Sequence, residues 1–150
     1  MLTIHTFCFN AFQENTFVIF NSEKEAIIVD PGCYLKHEQA QLANFISVNN
    51  LTPKLLLNTH CHLDHVFGNN FVSETYQLAA HFHANEQVVI DRLPEASAKW
   101  GVVTEAYKGP VKYLQQNEII QLGKDQFICL YTPGHSPGSL CFYHEQQNFI

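Results

Sequence analysis

The alternation of apolar and polar residues predicts several strands at the start of the chain, followed by a helix. Three short runs rich in β-branched and aromatic residues are typical of strands: Thr3–Phe9, Thr16–Phe20 and Ala26–Asp30. Pro31 and Gly32 then end the third run. Beyond them, apolar side chains recur at helical spacing and predict a helix over Lys36–Val48.

Further strands and helices alternate along the rest of the chain. The continuous apolar run Lys54–Thr59 predicts a strand that is buried on both faces. Helices are predicted from Val66 to about Tyr76 and over Asn85–Arg92. Other strands are predicted over five segments: Gln77–Phe82, Glu118–Leu122, Gln126–Tyr131, Ser139–His144 and Asn148–Ile150. Leu93–Gly109 contains one proline and two glycines, and we predict an irregular, flexible segment over the site. This order favours one mixed α/β domain over residues 1–150.

Composition and charge narrow the class of protein. The 150 residues are 46% apolar and 15% charged, which is typical of a globular chain with a sizeable core. The net charge is −6 and no run of Lys or Arg stands out, so we expect neither a nucleic-acid partner nor an anionic membrane surface. The N-terminus lacks the pattern of a signal peptide, and no apolar stretch approaches the ~20 residues of a membrane span. Five cysteines without a CxxC pair favour the reducing cytoplasm and a packing role for most of the thiols.

Four metal-binding side chains follow the buried strand within six residues. His60 and His62 are two apart, so in extended backbone their side chains point to the same side and both imidazoles can bind one cation. Asp64 and His65 lie where a helix begins and can face a second cation nearby. Imidazole and carboxylate together favour zinc, with iron or manganese as alternatives, over calcium or magnesium. The position at the C-terminal end of a strand is also typical of sites in α/β sheets.

His135 is a fifth candidate ligand, far along the chain. It also follows a predicted strand, in a loop that the pairs Pro133-Gly134 and Pro137-Gly138 make tight and stiff. With His60 and His62 it would complete a set of three protein ligands that leaves one position open, the usual arrangement of a catalytic zinc.

The remaining histidines and Asp30 need separate interpretations. His81 and His83 also have two-residue spacing, but no carboxylate or further histidine accompanies them, so we expect no metal there. Three isolated histidines are predicted at the surface: His5, His37 and His144. Cys61 should point away from its histidine neighbours and pack. Asp30 ends a strand and is interpreted as a buried carboxylate behind the ligands.

Three motifs together resemble the metallo-β-lactamase superfamily. Thr59–His65 is similar to its H-x-H-x-D-H signature, Val29–Gly32 to its early Asp-Pro-Gly turn, and Thr132–Ser139 to its T-P-G-H-[ST]-x-G-S loop. Within the superfamily the chain is most similar to the glyoxalase II-like hydrolases. The resemblance implies an αββα sandwich, a first metal on His60, His62 and His135, and a second metal on Asp64 and His65.

The resemblance also implies that part of the family domain is absent from these 150 residues. In the family a bridging Asp and a last His follow later in the chain, so we expect both beyond Ile150. We therefore expect the N-terminal portion of the domain, ending before its last strands and helices.

A metal-dependent hydrolase of a thioester or small ester is the function that the resemblance implies, with a small-molecule substrate. The metal would lower the pKa of a bound water and so supply hydroxide at neutral pH. Asp64 would bind the second metal and orient that hydroxide. Two alternatives remain open: a mononuclear iron dioxygenase acting on persulfides, and a metal-binding fragment without activity.

Overall fold

The computed structural model describes residues 1–147, which form two β-sheets and five α-helices. The larger sheet has six strands in chain order: β1 (Thr3–Phe9), β2 (Glu14–Phe20), β3 (Glu25–Val29), β4 (Thr52–Leu57), β5 (Ala80–His83) and β6 (Val111–Leu114). Its first three strands are antiparallel neighbours, and β3 to β6 run parallel. The smaller sheet is antiparallel: β7 (Ile119–Leu122), β8 (Asp125–Tyr131) and β9 (Leu140–Tyr143).

The helices occupy the connections between the parallel strands. They are α1 (Lys36–Val48), α2 (Leu63–Val66), α3 (Asn69–Tyr76), α4 (Gln87–Asp91) and α5 (Leu93–Trp100). Glu38 stabilises the start of α1, because its carboxylate accepts hydrogen bonds from the backbone N–H groups of Tyr34 and Leu35, both at 2.8 Å. None of the described helices is long and apolar enough to cross a membrane.

The centre of the larger sheet is buried on both faces, and β3 shows how its sequence achieves this. Ala26 and Ile28 point into a core shared with helices α1 and α3, whereas Ile27 and Val29 point into a second core shared with the smaller sheet. All four side chains are at most 4% exposed. The layers therefore follow the order helices, sheet, sheet, which confirms the mixed α/β sandwich. The second helical layer that the resemblance implies is not among the elements of residues 1–147.

Several predicted boundaries agree with the structure. The bounds predicted for β1 and α1 are those observed. The strands predicted around residues 16–20, 26–30, 54–59, 118–122, 126–131 and 139–144 are present, with boundaries shifted by at most two residues. The last predicted strand, Asn148–Ile150, lies outside the described residues.

The segment between Gln77 and Leu114 departs most from the prediction. Gln77 has φ = +57° and ends α3, so β5 begins only at Ala80. The first half of the segment predicted as irregular is helix α5, in which Pro94 occupies the first turn and Gly101, with φ = +66°, ends the helix. Proline and glycine were thus interpreted as signs of a loop although they mark the two ends of a helix. Strand β6 was not predicted.

We expect burial, not helix propensity, to decide the effect of valine-to-alanine changes in the helices. Val72 in α3 is fully buried and Val48 in α1 is 65% exposed. Val72→Ala should lower the free energy of unfolding by about 2 kcal/mol, through lost burial and a small cavity. Val48→Ala should change it by less than about 0.5 kcal/mol. Urea denaturation of both variants measures the difference, and equal losses would contradict the assignment of the core.

Candidate metal centre

The candidate ligands lie where both sheets end. The segment that carries His60 and His62 follows β4, and Asp30 follows the adjacent parallel strand β3. The loop with His135 connects β8 to β9 of the smaller sheet. A backbone hydrogen bond from Leu140 N–H to the Thr59 carbonyl, 2.8 Å long, joins the two regions. The layered packing thus brings together segments that are far apart in the sequence.

His60, His62 and His135 form a nearly regular triangle. Their ring centroids are 4.8 Å apart for His60 and His62, 4.9 Å for His60 and His135, and 4.7 Å for His62 and His135. His62 Nδ1 lies 3.0 Å from His135 Nε2, and one ring nitrogen of each residue lies within 4.8 Å of the other two. His60 is buried, His62 is partly exposed and His135 is exposed, so the triangle opens towards solvent on one side.

The donor set fits a bound metal ion. His60 Nε2 is buried and has no hydrogen-bond partner among residues 1–147, although buried polar atoms normally have one. Burial and repulsion by His65 lower the pKa of His60 to about 4, and burial and His135 lower the pKa of His62. Both rings are therefore neutral at pH 7, which is the form of histidine that binds a metal.

His65 and Asp64 lie beside this triangle at the start of α2. His65 Nδ1 is 3.1 Å from Asp30 Oδ2, which leaves Nε2 facing Asp64, 3.5 Å from Oδ2. Burial alone would lower the pKa of His65, but the hydrogen bond and negative charge of Asp30 outweigh it and raise that pKa. Asp30, His60 and His65 form a second group whose ligand atoms lie within 4.8 Å of one another; Asp64 belongs to neither group.

Asp30 connects the ends of the two central parallel strands. Its carboxylate accepts a hydrogen bond from Thr59 N–H at 2.7 Å and another from the Thr59 hydroxyl, besides its contact with His65. The residue is 2% exposed and has φ = +48°, a conformation that Asp and Asn tolerate better than most residues. The carboxylate thus lies behind the candidate ligands, as expected from its position in the sequence.

Glu14 is a residue of the site that the sequence did not indicate. It lies in β2, and its Oε1 is buried, 3.9 Å from His65 Nδ1. Burial raises the pKa of this carboxyl to about 9, against the opposing hydrogen bond from Thr16, so Glu14 is protonated at neutral pH. A Cβ at Gly32 would come within 1.9 Å of Glu14 Oε2 and 2.7 Å of the Asp64 carbonyl oxygen, which explains the glycine at this turn. No motif surrounds Glu14, so only the folded sheet reveals its position.

The other histidines have structural contacts. His81 Nδ1 lies 3.1 Å from the Leu56 carbonyl and 2.9 Å from that of Ala79, and the His83 ring stacks on Tyr131 at 4.4 Å. Neither belongs to a metal-competent group within residues 1–147. The prediction that His144 lies at the surface is wrong. The residue is 2% exposed, because its ring packs against Phe127 and its Nε2 lies 3.4 Å from Asp125 Oδ1.

Comparison with known proteins gives consistent matches. The family model described as "Metallo-beta-lactamase superfamily" matches residues 9–150. Hydroxyacylglutathione hydrolase GloC of Haemophilus influenzae is 32% identical over 145 residues, which cover 91% of this chain and 64% of the relative. The chain thus spans somewhat less than two thirds of that relative's length.

Solved structures share the fold over almost the whole chain. The B3 metallo-β-lactamase BLEG-1 superposes with a TM-score of 0.83 at 30% identity, covering 97% of this chain and 68% of its own. TTHA1623 in a di-iron-bound form superposes with a TM-score of 0.80 at 26% identity, covering 95% and 68%. The described layers therefore correspond to the metallo-β-lactamase fold.

We expect Asp30 to contribute more to stability than its backbone conformation alone explains. Asp30→Ala should lower the free energy of unfolding by about 2–4 kcal/mol, because Thr59 loses its buried acceptor and alanine tolerates the left-handed conformation less well. Asn117→Ala is the matched control, since Asn117 has φ = +65° but is exposed; it should lose about 1 kcal/mol. Denaturation of the metal-free chain measures both, and equal losses would contradict the structural role of the carboxylate.

Proposed function

Since the chain belongs to the metallo-β-lactamase superfamily, we propose that it provides the metal-binding half of a metal-dependent hydrolase for a thioester or another small ester. The observation that supports this most directly is the triangle of His60, His62 and His135, with the unpartnered Nε2 of His60. The thioester preference rests on the relative named hydroxyacylglutathione hydrolase. The proposed substrate class is therefore a hydroxyacyl thioester of glutathione or of a similar thiol.

The ligands divide between two proposed metal positions. His60, His62 and His135 would hold the first ion. Asp64 and His65 would hold the second ion, on the side of the site that His65 Nε2 faces. Zinc suits this donor set, and iron or manganese is an alternative. When bound, such an ion acts as a Lewis acid and lowers the pKa of a water ligand towards neutrality.

The chain's own residues would prepare the site for this chemistry. Burial keeps the His60 imidazole neutral, and Asp30 holds His65 so that Nε2 faces Asp64. Asp64 would act as a ligand and orient the attacking water. Cys61 is excluded as a nucleophile, since it is fully buried and burial raises the pKa of its thiol well above the ordinary value.

The cellular setting is proposed from side-chain chemistry. Three buried cysteines are free thiols, as is usual in a reducing compartment: Cys33, Cys61 and Cys129. We therefore propose that the protein acts in the cytoplasm. The expected partner is a small-molecule substrate rather than nucleic acid or a membrane surface.

We expect first-site metal binding to depend on His60 and His62 and not on the other closely spaced pair. His60→Ala combined with His62→Ala should abolish binding of the first zinc ion, because two of three ligands are lost. His81→Ala combined with His83→Ala should retain it, since those rings contact backbone carbonyls and Tyr131. Isothermal titration of the metal-free full-length protein with zinc compares the variants. Equal loss of metal in both would show that the ligands are assigned wrongly.

Thioester hydrolysis should require both metal and Asp64. In the full-length protein, release of thiol from a hydroxyacylglutathione thioester should stop on chelation and return with zinc. Asp64→Asn should lower kcat by at least about 100-fold, whereas Asp91→Asn, an exposed change on α4, should not alter it.

The same assays distinguish the two alternative functions. One iron per chain, together with oxygen consumption on a persulfide and no thioester cleavage, would establish the dioxygenase alternative. If the full-length protein shows neither thioester hydrolysis nor oxygen consumption with any metal, the non-catalytic alternative is established.

A further inference from the structure

Glu86 is a fully buried carboxylate that contacts both ligand-bearing segments. It ends the short turn after β5 and is 0% exposed. Its Oε2 accepts a hydrogen bond from Cys61 N–H at 2.7 Å, while Oε1 accepts one from the Ser136 hydroxyl and one from Gly138 N–H, both at 2.6 Å. All three distances are typical of strong, charge-assisted hydrogen bonds.

These partners directly adjoin the clustered histidines. Cys61 lies between His60 and His62, and Ser136 follows His135. A single side chain is therefore bonded to the backbone between the first two candidate ligands and to the loop that carries the third. We propose that Glu86 is a positioning residue that sets the separation between these segments and so forms the first-metal triangle. The inference rests on the ligand assignment in the proposed function.

The bonding pattern requires a carboxylate. The Cys61 and Gly138 N–H groups can only donate, and they approach opposite oxygens of Glu86. A glutamine has one oxygen and one NH2 group, so in either orientation its NH2 would face one of these backbone donors. Glu86→Gln therefore has nearly the shape of the native residue but leaves a buried N–H unpaired.

Gly138 shows how closely the loop approaches Glu86. A Cβ at this position would lie 2.7 Å from Glu86 Cγ and 2.9 Å from its backbone nitrogen. The absence of a side chain allows the Gly138 N–H to reach the carboxylate. Adjacent contacts support the same loop, since Asn85 Nδ2 donates to the Tyr131 hydroxyl at 2.9 Å, which in turn donates to the Pro137 carbonyl at 2.9 Å.

The two segments have a second connection that does not involve Glu86. The hydrogen bond from Leu140 N–H to the Thr59 carbonyl is made by backbone alone and does not depend on the Glu86 side chain. Loss of the carboxylate should therefore leave the sheets together and change the spacing of the three imidazoles. We therefore expect the loss of the Glu86 carboxylate to change metal affinity and coordination geometry, and not only the stability of the fold.

Cobalt binding to the metal-free full-length protein tests this role. Glu86→Gln should weaken binding of the first Co²⁺ ion by about 10- to 100-fold, the usual effect of losing a group that orients metal ligands. The visible d–d absorption of the bound ion should also change in position or intensity, since it reports ligand geometry. Wild-type affinity together with a wild-type spectrum in Glu86→Gln would overturn the proposal.

Asp125→Asn is the matched control for a loss of stability alone. Asp125 is also a buried acid and is paired with His144. It lies at the start of β8, whereas the His135 loop follows the end of that strand, about 20 Å from Asp125. This variant should melt at a lower temperature while keeping first-site Co²⁺ affinity within about two-fold. An affinity loss equal to that of Glu86→Gln would show that general destabilisation is the cause, and would overturn the proposal.

Ser136→Ala decides the question if Glu86→Gln does not fold. It removes one of the three donors to Glu86 and leaves no buried donor unpaired. A several-fold weaker first Co²⁺ site supports the positioning role, and an unchanged site overturns it. If the wild-type protein binds no metal, the proposed function fails together with this inference. If the wild-type protein binds metal and Glu86→Gln leaves that binding unchanged, only this inference fails and the proposed function stands.

Discussion

The hydrogen bonds between Asp30 and Thr59 join the ends of the two central parallel strands, and the site is built on that junction. Strand β3 delivers the carboxylate and β4 delivers the segment with His60 and His62. Since parallel neighbours end at the same edge of a sheet, their following residues meet there without a long loop. Asp30 also reaches His65, so one buried anion connects strand pairing with the orientation of a candidate ligand.

Buried ionisable groups are concentrated at this edge, although their transfer from water is costly. Hydrogen bonds offset the cost for Asp30 and Glu86, each of which has several donors. Glu14 remains neutral instead, as its raised pKa shows. His60 is also neutral, but its Nε2 has no partner in the described part of the chain. Buried ionisable groups that cost stability are typical of functional sites, and in the proposed function the partner of His60 Nε2 is a metal ion.

The two sheets have different roles in this arrangement. Four of the five candidate ligands lie in the segment and helix α2 that follow β4 of the larger sheet, while the smaller sheet contributes His135 through the loop between β8 and β9. The apolar core between them, with residues such as Ile27, Leu57 and Phe127, sets their distance. The Leu140–Thr59 backbone bond and Glu86 then join the segments locally. The geometry of the three clustered histidines therefore depends on sheet packing as much as on the histidine motif.

The sequence by itself determined the elements with strong periodicity and the residues of the ligand motifs. Strand β1 and helix α1 followed from local patterns, and the spacing of His60 and His62 predicted a shared direction because alternation in extended backbone is a local property. Helix α5 was missed, since its proline and glycine have the same local signature as a loop. Only the tertiary structure revealed the positions of Glu14 and Glu86 beside the candidate ligands, and the burial of His144. Their environments are formed by segments distant in the chain, and no local pattern encodes such contacts.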